Sequence, residues 1–565
     1  MYQRRMSIEQ GLFLLAFLLA LFFRLVHLGA FALSDAEASL AMQALQIARG
    51  EVPPLGSQPG YVLLTGVLFF LFGSNNALAR LAPALLGSLI VLLPVVFRPQ
   101  LGRRTALVLA YFLALSPTLI AVTRTADGKA IGLTFLLLAL GLALRRQAAW
   151  AGICAGLALL GGPSVWLGLL GLAVAGGFSI PVVRSLWQGE TKPAGRDFWI
   201  RLAAAGLITF LAVGTLFLQA PHGISAAASS LVSFLSGWVA PATQNLGLLL
   251  AALAGIEILP LALGLVGAIS RSRGGTPVET FLIRWLVIAS VLLLLYPGRQ
   301  VADLAWVLIP LYILAAGTLD RWLASLPEMG LVGAAQAGFV FALLAFVVLN
   351  YLGTYSLQEL ANLQLRWISM AGALIILVLL GILIAWSWSV RIAMLGTISG
   401  TLLLLAVFNL SNTFNAGGIK AYPQANIYQS DGYFQEADLL LQTVNDISRW
   451  STGDQDTLGV TLVGMKSPAI EWLLRNAKGT HEEDFLSPSS SPAMVVSAGN
   501  AEIALGSNYS GQDFVASERP AWSLMSFGEW VSWLVYRDAP LEKTAVILWV
   551  RNDLFPGANP AVSQP

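Results

Sequence analysis

Two carboxylates, Asp35 and Glu37, stand close together in the segment SDAEASLAMQALQIARG, residues 34–50. This segment follows an apolar stretch that ends near residue 30. A third acid, Asp127, lies in TRTADGKA, which also follows an apolar stretch. A carboxylate held close to a hydroxyl or an amine can remove its proton as a general base. These three acids are the first candidates for such chemistry.

Asp35 and Glu37 could also have a purely structural role, at the start of a helix. The apolar residues of the segment recur at the spacing of one face of a helix. Ser34 is a favourable N-cap, and acids in the first turn interact well with the helix dipole. The sequence therefore predicts a short helix that begins at Asp35, and it leaves open whether the two acids serve only to start that helix.

The composition sets the class of protein. Of the 565 residues, 57% are hydrophobic and 11% are charged, whereas a soluble domain carries roughly 25% charged residues. The chain is therefore expected to be a polytopic α-helical membrane protein with a soluble portion. A net charge of +2 argues against nucleic acid as a partner. Three histidines and one cysteine, all scattered, do not form a metal cluster, so no metal site is predicted.

Apolar stretches of about 20 residues predict membrane spans. We expect about 13 of them, at residues 8–30, 77–97, 104–122, 129–144, 148–162, 163–180, 199–219, 244–270, 281–296, 301–318, 331–353, 366–386 and 391–410. The run at 60–73 is only about 14 residues long, so we place it at the membrane surface.

Charge distribution predicts the orientation. Arginine- and lysine-rich turns favour the cytoplasm, and this assignment puts the turns at 3–5, 97–104, 144–147, 183–201, 271–273 and 320–322 on one side. The N-terminus is then cytoplasmic, and the loops at 31–76 and 123–128 are outside. We expect a multi-pass protein of the plasma membrane, in which Asp35, Glu37 and Asp127 share the outer face.

The composition changes near residue 411, where charged and small polar residues become frequent. Apolar strands are predicted at 457–465, 493–499 and 544–550, and a helix is predicted at 467–477 with Ser467 as its N-cap. We therefore divide the chain into a transmembrane domain, 1–410, that includes the outer loop 31–76 with its juxtamembrane helices, and an extracytoplasmic α/β domain, 411–565.

Glu257, in AGIEILPLALG, is a further candidate. A carboxylate deep in a membrane is costly and marks a function by default, although a span that begins near residue 256 would leave it at the aqueous boundary. A transporter or flippase would place such groups at the membrane midplane and show two matching halves. We see neither pattern.

The outer loop and the segments after it resemble the GT-C membrane glycosyltransferases. The matching features are Arg24 near the end of the first span, DAEA at 35–38, QPGYVLLTGVLFFLFGSNNALARLAPALLG at 58–87, LGRRTALVLAYFLALSPTLIAVTRTADGKA at 101–130 and YPGRQVADLAWVLIPLYILAAG at 296–317. The order of these motifs is most similar to the branch of protein O-mannosyltransferases and aminoarabinose transferases.

The resemblance implies a glycosyltransferase of the cell envelope. Such an enzyme takes a sugar from a polyprenyl-phosphate donor in the bilayer and passes it to a glycan, lipid or protein acceptor on the outer face. It implies that Asp35, Glu37 and Asp127 are catalytic and that Arg299 and Arg124 bind the donor phosphate, with Arg24 as an additional site residue. It requires no cofactor; a divalent metal would be compatible with a phosphate site, but no ligand set demands one.

The sequence also departs from the family pattern. The family usually has adjacent Asp and Glu, whereas here Ala36 separates Asp35 from Glu37. Asp35 would therefore act from a neighbouring position, about 100° round a helix. The lysine that precedes the proline-led run in the aminoarabinose branch is also absent. A non-catalytic partner in glycan assembly is the first alternative function, and a transporter or flippase is the second, less favoured one.

Overall fold

The computed structural model describes residues 7–181, 195–242, 244–356, 360–419, 426–428, 432–487, 490–501, 503, 505 and 508–555. Most of this part of the chain is helical. Within it, seven helical runs are long and apolar enough to cross a membrane: Ile8–Leu25, Asn76–Val96, Arg196–Gly214, Pro277–Leu295, Val301–Thr354, Leu363–Ser387 and Val390–Ala416. The run Val301–Thr354 covers the helix Ala305–Ser325 and most of a second helix, Gly330–Ser356.

Two further pairs of helices are bent at a break. Arg103–Leu115 and Pro117–Thr123 meet at 56°, and Leu246–Ile256 and Ile258–Arg271 meet at 89°. The first break follows from Pro117, which favours an extended conformation in the residue before it. Ser116 is extended there and caps the second helix through a hydrogen bond from the Leu119 N–H.

Four shorter apolar helices complete the set: Pro59–Phe72, Lys129–Leu144, Ala148–Leu159 and Ser164–Gly177. The helix Pro59–Phe72, predicted at the membrane surface, packs against the outer-loop helix Asp35–Ala48. Its first half is buried, including Tyr61 and Leu63. The number of membrane crossings, expected at about 13, stays a prediction because length and composition alone define the spans.

The outer-loop helix begins at the predicted residue. Asp35–Ala48 is capped by Ser34, whose hydroxyl accepts a hydrogen bond from the Glu37 N–H, while the Glu37 side chain accepts one from the Ser34 N–H. This reciprocal capping box satisfies two N–H groups that have no partner within the helix. The helix then buries Ala38, Ala41, Ala44 and Leu45, as the apolar spacing predicts.

The C-terminal portion contains a five-stranded sheet. Its strands are β1 (Val460–Val463), β2 (His481–Glu483), β3 (Met494–Ala498), β4 (Tyr509–Pro520) and β5 (Leu541–Arg551), in the order β2-β1-β3-β5-β4. The pairs β1–β2 and β1–β3 are parallel, whereas β5 runs antiparallel to both β3 and β4. The helices of this portion are Ala437–Thr452, Pro468–Leu473 and Phe527–Tyr536. The three predicted strands correspond to β1, β3 and β5, and the helix capped by Ser467 is present, although it ends at Leu473 and not at residue 477.

The sheet portion is docked on the outer loop by polar contacts. The Arg475 guanidinium donates to the Ser74 carbonyl, and the Trp472 indole N–H donates to the Asn76 amide oxygen. The predicted domain boundary at 410/411 falls inside the helix Val390–Ala416, and the division into domains stays a prediction. The docking brings residues of the sheet portion to the helix ends that adjoin the loop 31–76.

Candidate functional site

Glu37 forms a buried ion pair with Arg80. Both side chains are 5% exposed, and the guanidinium donates from Nε to Oε1 at 2.8 Å and from Nη2 to Oε2 at 2.7 Å. Burial alone would raise the pKa of Glu37, but the Arg80 charge and hydrogen bonds from Arg80, Ala126 and Ser34 outweigh it and lower the pKa below its usual value. Glu37 is therefore held ionised, with its oxygens occupied.

The same ion pair shapes the outer loop. Arg80 also donates to the carbonyls of Leu28, Phe31 and Ala32. A planar guanidinium with five N–H donors is suited to bridging a carboxylate and several carbonyls at once. Sequence reasoning did not assign Arg80 a role. The sequence feature that could have indicated a role for Arg80 is that it is the single arginine in the largely apolar helix Asn76–Ser88.

Asp35 lies at the contact with the sheet portion. Its Oδ1 accepts hydrogen bonds from the Ser467 hydroxyl at 2.8 Å and from the Ala469 N–H at 3.0 Å. It thus supplements Ser467 at the N-terminus of the helix Pro468–Leu473, where N–H groups and the helix dipole favour an anion. The structure places the Asp35 carboxylate toward this helix.

Asp127 lies in the loop between Pro117–Thr123 and Lys129–Leu144. Its Oδ1 accepts from the Lys129 N–H at 3.0 Å, and its Oδ2 lies 2.9 Å from the Lys129 ammonium. The next residue is fixed by Gln58, whose amide oxygen accepts from the Gly128 N–H at 2.6 Å. The side chain of Asp127 is 11% exposed, so the loop presents a nearly buried carboxylate beside a positive charge.

The outer loops bring two of the three predicted acids together. The Ala126 N–H donates to Glu37 Oε1 at 2.9 Å, so the residue next to Asp127 is bonded directly to Glu37. The hydroxyl of Tyr61 interacts electrostatically with both Glu37 and Asp127. Asp35, by contrast, is bonded to the sheet portion.

Asp303 is an acid that sequence reasoning missed. It is 5% exposed, its Oδ1 accepts from the Ser164 hydroxyl at 2.6 Å, and its Oδ2 accepts from the Gln300 N–H at 2.9 Å. Lys129 and Asp127 are among the charged groups that act on it. The segment QVADLAW carried the signal, because it places an acid just before a long apolar run. We call Asp127, Lys129 and Asp303 the outer cluster.

The three predicted arginines donate to backbone carbonyls. Arg124 donates to the carbonyls at the end of the first span, those of Phe23, Arg24, Val26 and His27. Arg299 donates to the carbonyls of Leu294, Tyr296 and Gln244. Arg24 is fully buried and donates to those of Ala20, Leu113 and Ala114. Each arginine therefore links backbone carbonyls of separate segments near the ends of helices.

Glu257 lies where the two bent pairs meet. Its Oε1 accepts from the Ser116 hydroxyl and the Thr118 N–H, at the break of the first pair, while Glu257 itself stands at the break of the second. The residue is 1% exposed, and its Oε2 has no hydrogen-bond partner among the described residues. The structure thus links two bends through one carboxylate.

A cavity of about 120 Å³ lies at the C-terminal ends of the helices Ile8–Leu25 and Val390–Ala416. Its polar lining includes three arginines: Arg80, Arg124 and Arg537. Arg537 belongs to the sheet portion, where it follows the helix Phe527–Tyr536. We call this space the arginine cavity. None of the described residues that line it is acidic.

These features define what the site can do chemically. The outer cluster offers a carboxylate for proton abstraction beside a positive charge, and the arginine cavity offers positive charge to an anion. Within the described residues, no three His, Cys, Asp or Glu side chains are grouped so that they could hold a metal ion. The roles of the predicted site residues stay predictions.

Solved structures resemble the whole chain. The crystal structure of ArnT from Cupriavidus metallidurans bound to undecaprenyl phosphate matches with a TM-score of 0.51 at 16% identity, over 95% of this chain and 98% of that one. The apo structure of the same ArnT matches with a TM-score of 0.53 at 17% identity, over 97% and 100%. Comparisons with protein-family models and with curated proteins find no match. The chain therefore has an ArnT-like fold, a helical membrane protein with a small C-terminal sheet domain, which confirms the predicted fold class.

Proposed function

We propose that the protein is a membrane glycosyltransferase that moves a sugar from a polyprenyl-phosphate donor to an acceptor on the outer face. The proposal depends mainly on the position of Asp127. Its carboxylate lies beside Lys129, in the same loop as Arg124, which lines the arginine cavity. An ArnT of similar fold bound to undecaprenyl phosphate supports the class of donor.

In this reaction Asp127 removes the proton from the acceptor hydroxyl or amine as that atom attacks the anomeric carbon. The bond between the anomeric carbon and the phosphate oxygen breaks, and its electron pair leaves with the polyprenyl phosphate. Positive groups facing the leaving phosphate stabilise the charge that develops there. We propose Lys129, whose ammonium lies 2.9 Å from Asp127, as one such group. The phosphate roles of Arg124 and Arg299 stay predictions.

The other two acids take positioning roles in this proposal. Glu37 accepts the hydrogen bond from Ala126 and so holds the loop that carries Asp127. Asp35 fixes the sheet domain over the outer loop through Ser467 and Ala469. This assignment differs from the sequence-based expectation that all three acids act directly on substrate.

The test is sugar transfer by the purified protein in nanodiscs that contain a polyprenyl-phosphate sugar. We expect Asp127→Asn to lower the rate by about 10²–10⁴-fold, the usual contribution of a general base. The matched control is Asp513→Asn, an exposed acid on β4, which should leave the rate unchanged. Full activity of Asp127→Asn would remove Asp127 from the mechanism. Transfer from a nucleotide sugar with no lipid-linked donor would contradict the donor class.

A second candidate function has an observation in its favour. Glu37 is engaged in an ion pair with Arg80, Asp35 in a domain contact and Asp127 in an ion pair with Lys129, so all three expected acids have partners. A non-catalytic partner that presents a lipid-linked glycan would need no base. In the same assay, the wild-type protein would then bind the lipid-linked sugar but transfer none of it to any acceptor offered.

A further inference from the structure

We propose that residues 522–536 of the sheet domain form an interfacial membrane anchor, in which Leu524, Phe527 and Tyr536 contact the lipids of the nearest leaflet. We call residues 522–536 the tryptophan segment, because they include three tryptophans. Such an anchor would hold the sheet domain at the membrane whether or not the protein transfers sugar.

The tryptophan segment packs with the membrane helices. Trp533 is almost completely buried, and it belongs to the same hydrophobic cluster as Tyr296 and Leu308 of those helices. Buried residues of the sheet, such as Phe514 and Leu548, belong to a different cluster. The segment is therefore part of the sheet domain along the chain, but its inner face is part of the membrane-helix core.

Two contacts fix the level of the segment along the membrane helices. Leu534 packs so closely on Gly255, at the 89° break of a bent pair, that a Cβ added to this glycine would lie 2.5 Å from Leu534 Cδ1. Arg537, the C-cap of the segment's helix, donates to the Asn412 amide oxygen at 2.6 Å. Asn412 is near the end of the last span. The segment thus lies at the level where membrane helices end.

The helix Gly330–Ser356 packs against the segment's helix and continues its apolar surface. It runs parallel to the last span, because the residues in contact ascend together along both helices: Gly333 with Ile392, Gln336 with Ala393 and Val340 with Gly400. Its C-terminal end therefore stands at the same level as Asn412. Leu349, near that end, is largely exposed, as expected of a residue that faces lipid.

The outward surface of the tryptophan segment is apolar. Leu524 and Phe527 are 76% and 77% exposed, and Tyr536 is 47% exposed. The single charged residue of the segment, Glu529, caps the helix by accepting hydrogen bonds from the N–H and the hydroxyl of Ser526. Clustered exposed apolar residues mark an interaction surface, and tryptophan and tyrosine are enriched where a bilayer meets water. The bilayer around the adjacent spans is therefore the partner that this surface fits.

The three tryptophans give this surface a fixed shape. The rings of Trp522 and Trp530 are stacked with their centres 5.4 Å apart, and both meet the Trp533 ring edge-on, at 5.2 and 5.7 Å. Aromatic pairs in these arrangements are mutually stabilising. Because Trp533 is held in the membrane-helix core, the cluster orients the surface in advance, and little conformational freedom is lost on contact with lipid.

Spin labels on the full-length protein in nanodiscs test the anchor. In a background where the buried Cys154 is replaced by Ala, labels are attached to Leu524→Cys and Phe527→Cys. Collisions with oxygen, which partitions into lipid, are compared with collisions with a water-soluble nickel complex. We expect the ratio of oxygen to nickel accessibility at both positions to approach that of Leu349→Cys on the spanning helix.

The matched controls are Leu439→Cys and Phe485→Cys, which replace exposed residues of the same types elsewhere in the sheet domain. The ratio at Leu524 and Phe527 should exceed theirs several-fold. Ratios equal to those of the controls would show that the segment faces water. Low accessibility to both reagents would show that another protein covers it. Either result would overturn the proposal.

Unlabelled variants cover the case in which a labelled protein does not fold. Leu524→Asp and Phe527→Asp place a charge at an exposed position, which costs little in water but disfavours contact with lipid. Hydrogen exchange of residues 528–536 in nanodiscs should therefore rise several-fold in both variants, whereas Leu439→Asp should leave it unchanged. Exchange equal to that of wild type in Leu524→Asp and Phe527→Asp would contradict a lipid contact.

Discussion

At the scale of residues, the buried ion pair of Glu37 and Arg80 connects the loop 31–76 with the loop that carries Asp127. Glu37 bonds to Arg80, Ser34 and Ala126, and Arg80 bonds to three carbonyls of the outer loop. Removal of one partner leaves a buried charge without compensation, which is much more costly than the loss of an exposed pair. The pair therefore serves as a fixed point for the loop that carries Asp127.

We predict that Glu37→Gln lowers the free energy of unfolding by about 3–5 kcal/mol. Because the pKa of Glu37 lies below its usual value of 4.5, its contribution is present at neutral pH and is lost as the pH falls below that value. The variant should therefore lose part of the acid dependence of stability. Chemical unfolding in detergent at several pH values measures both effects. The exposed Glu542→Gln should cost only about 0–1 kcal/mol, and equal losses for the two variants would contradict the argument.

At the scale of elements, the short helix Pro468–Leu473 joins the two parts of the molecule. Ser467 and Asp35 accept hydrogen bonds at its N-terminus. At its other end, Trp472 in the last turn donates to Asn76, and Arg475, just beyond the helix, donates to Ser74. The ring of Trp472 also stacks on Phe69 of the helix Pro59–Phe72. This helix therefore determines how the sheet domain sits on the outer loop.

We predict that Asp35→Ala weakens this docking while the membrane helices stay folded. The helix Pro468–Leu473 loses a capping acceptor, a change that costs about 0.5–2 kcal/mol. Hydrogen exchange of residues 468–473 should rise in the variant. Ser389→Ala removes the N-cap of the last span without touching the domain contact, so it should leave exchange in 468–473 unchanged. Unaltered exchange in Asp35→Ala would show that the contact contributes little.

The same helix carries a pH-dependent group. Burial, a hydrogen bond with Glu482 of β2 and the charge of that residue raise the pKa of Glu471 to about 7. Since the folded value exceeds the usual 4.5, ionisation of Glu471 disfavours the folded sheet domain as the pH rises from about 4.5 to 7. Glu471→Gln should remove that loss, whereas Asp454→Asn, in an exposed loop, should retain it. Thermal unfolding at pH 5 and pH 8 distinguishes the two.

At the scale of the whole molecule, the orientation in the membrane decides which solution the outer cluster and the arginine cavity face. Positive residues gather in turns that share one side in the predicted topology, and the sheet domain lies at the opposite end, where it covers the outer loop. Sugar transfer on the outer face requires that the sheet domain be extracytoplasmic.

Cysteine labelling of intact cells tests this predicted orientation. In a background where the buried Cys154 is replaced by Ala, Ser451→Cys in the sheet domain should react with an impermeant thiol reagent. Ser272→Cys, in the Arg271–Arg273 turn, should react only after the membrane is permeabilised. Both positions are exposed, so accessibility to the reagent depends on side alone. The reverse pattern would invert the topology and exclude transfer on the outer face.

The sequence by itself determined the class of protein, the capped helix Asp35–Ala48 and three of the five strands of the C-terminal sheet, β1, β3 and β5. These depend on local periodicity, on capping residues and on the length of apolar stretches, which neighbouring residues specify. Only the tertiary structure decided the partners of the charged groups. Arg80 is 43 residues from Glu37, and Ser467 is 432 residues from Asp35, so no local pattern pairs them. A charge in an outer loop takes the partner that the packing of distant helices brings within hydrogen-bonding distance, and that packing assigned Asp35 to a domain contact and Arg537 to the cavity.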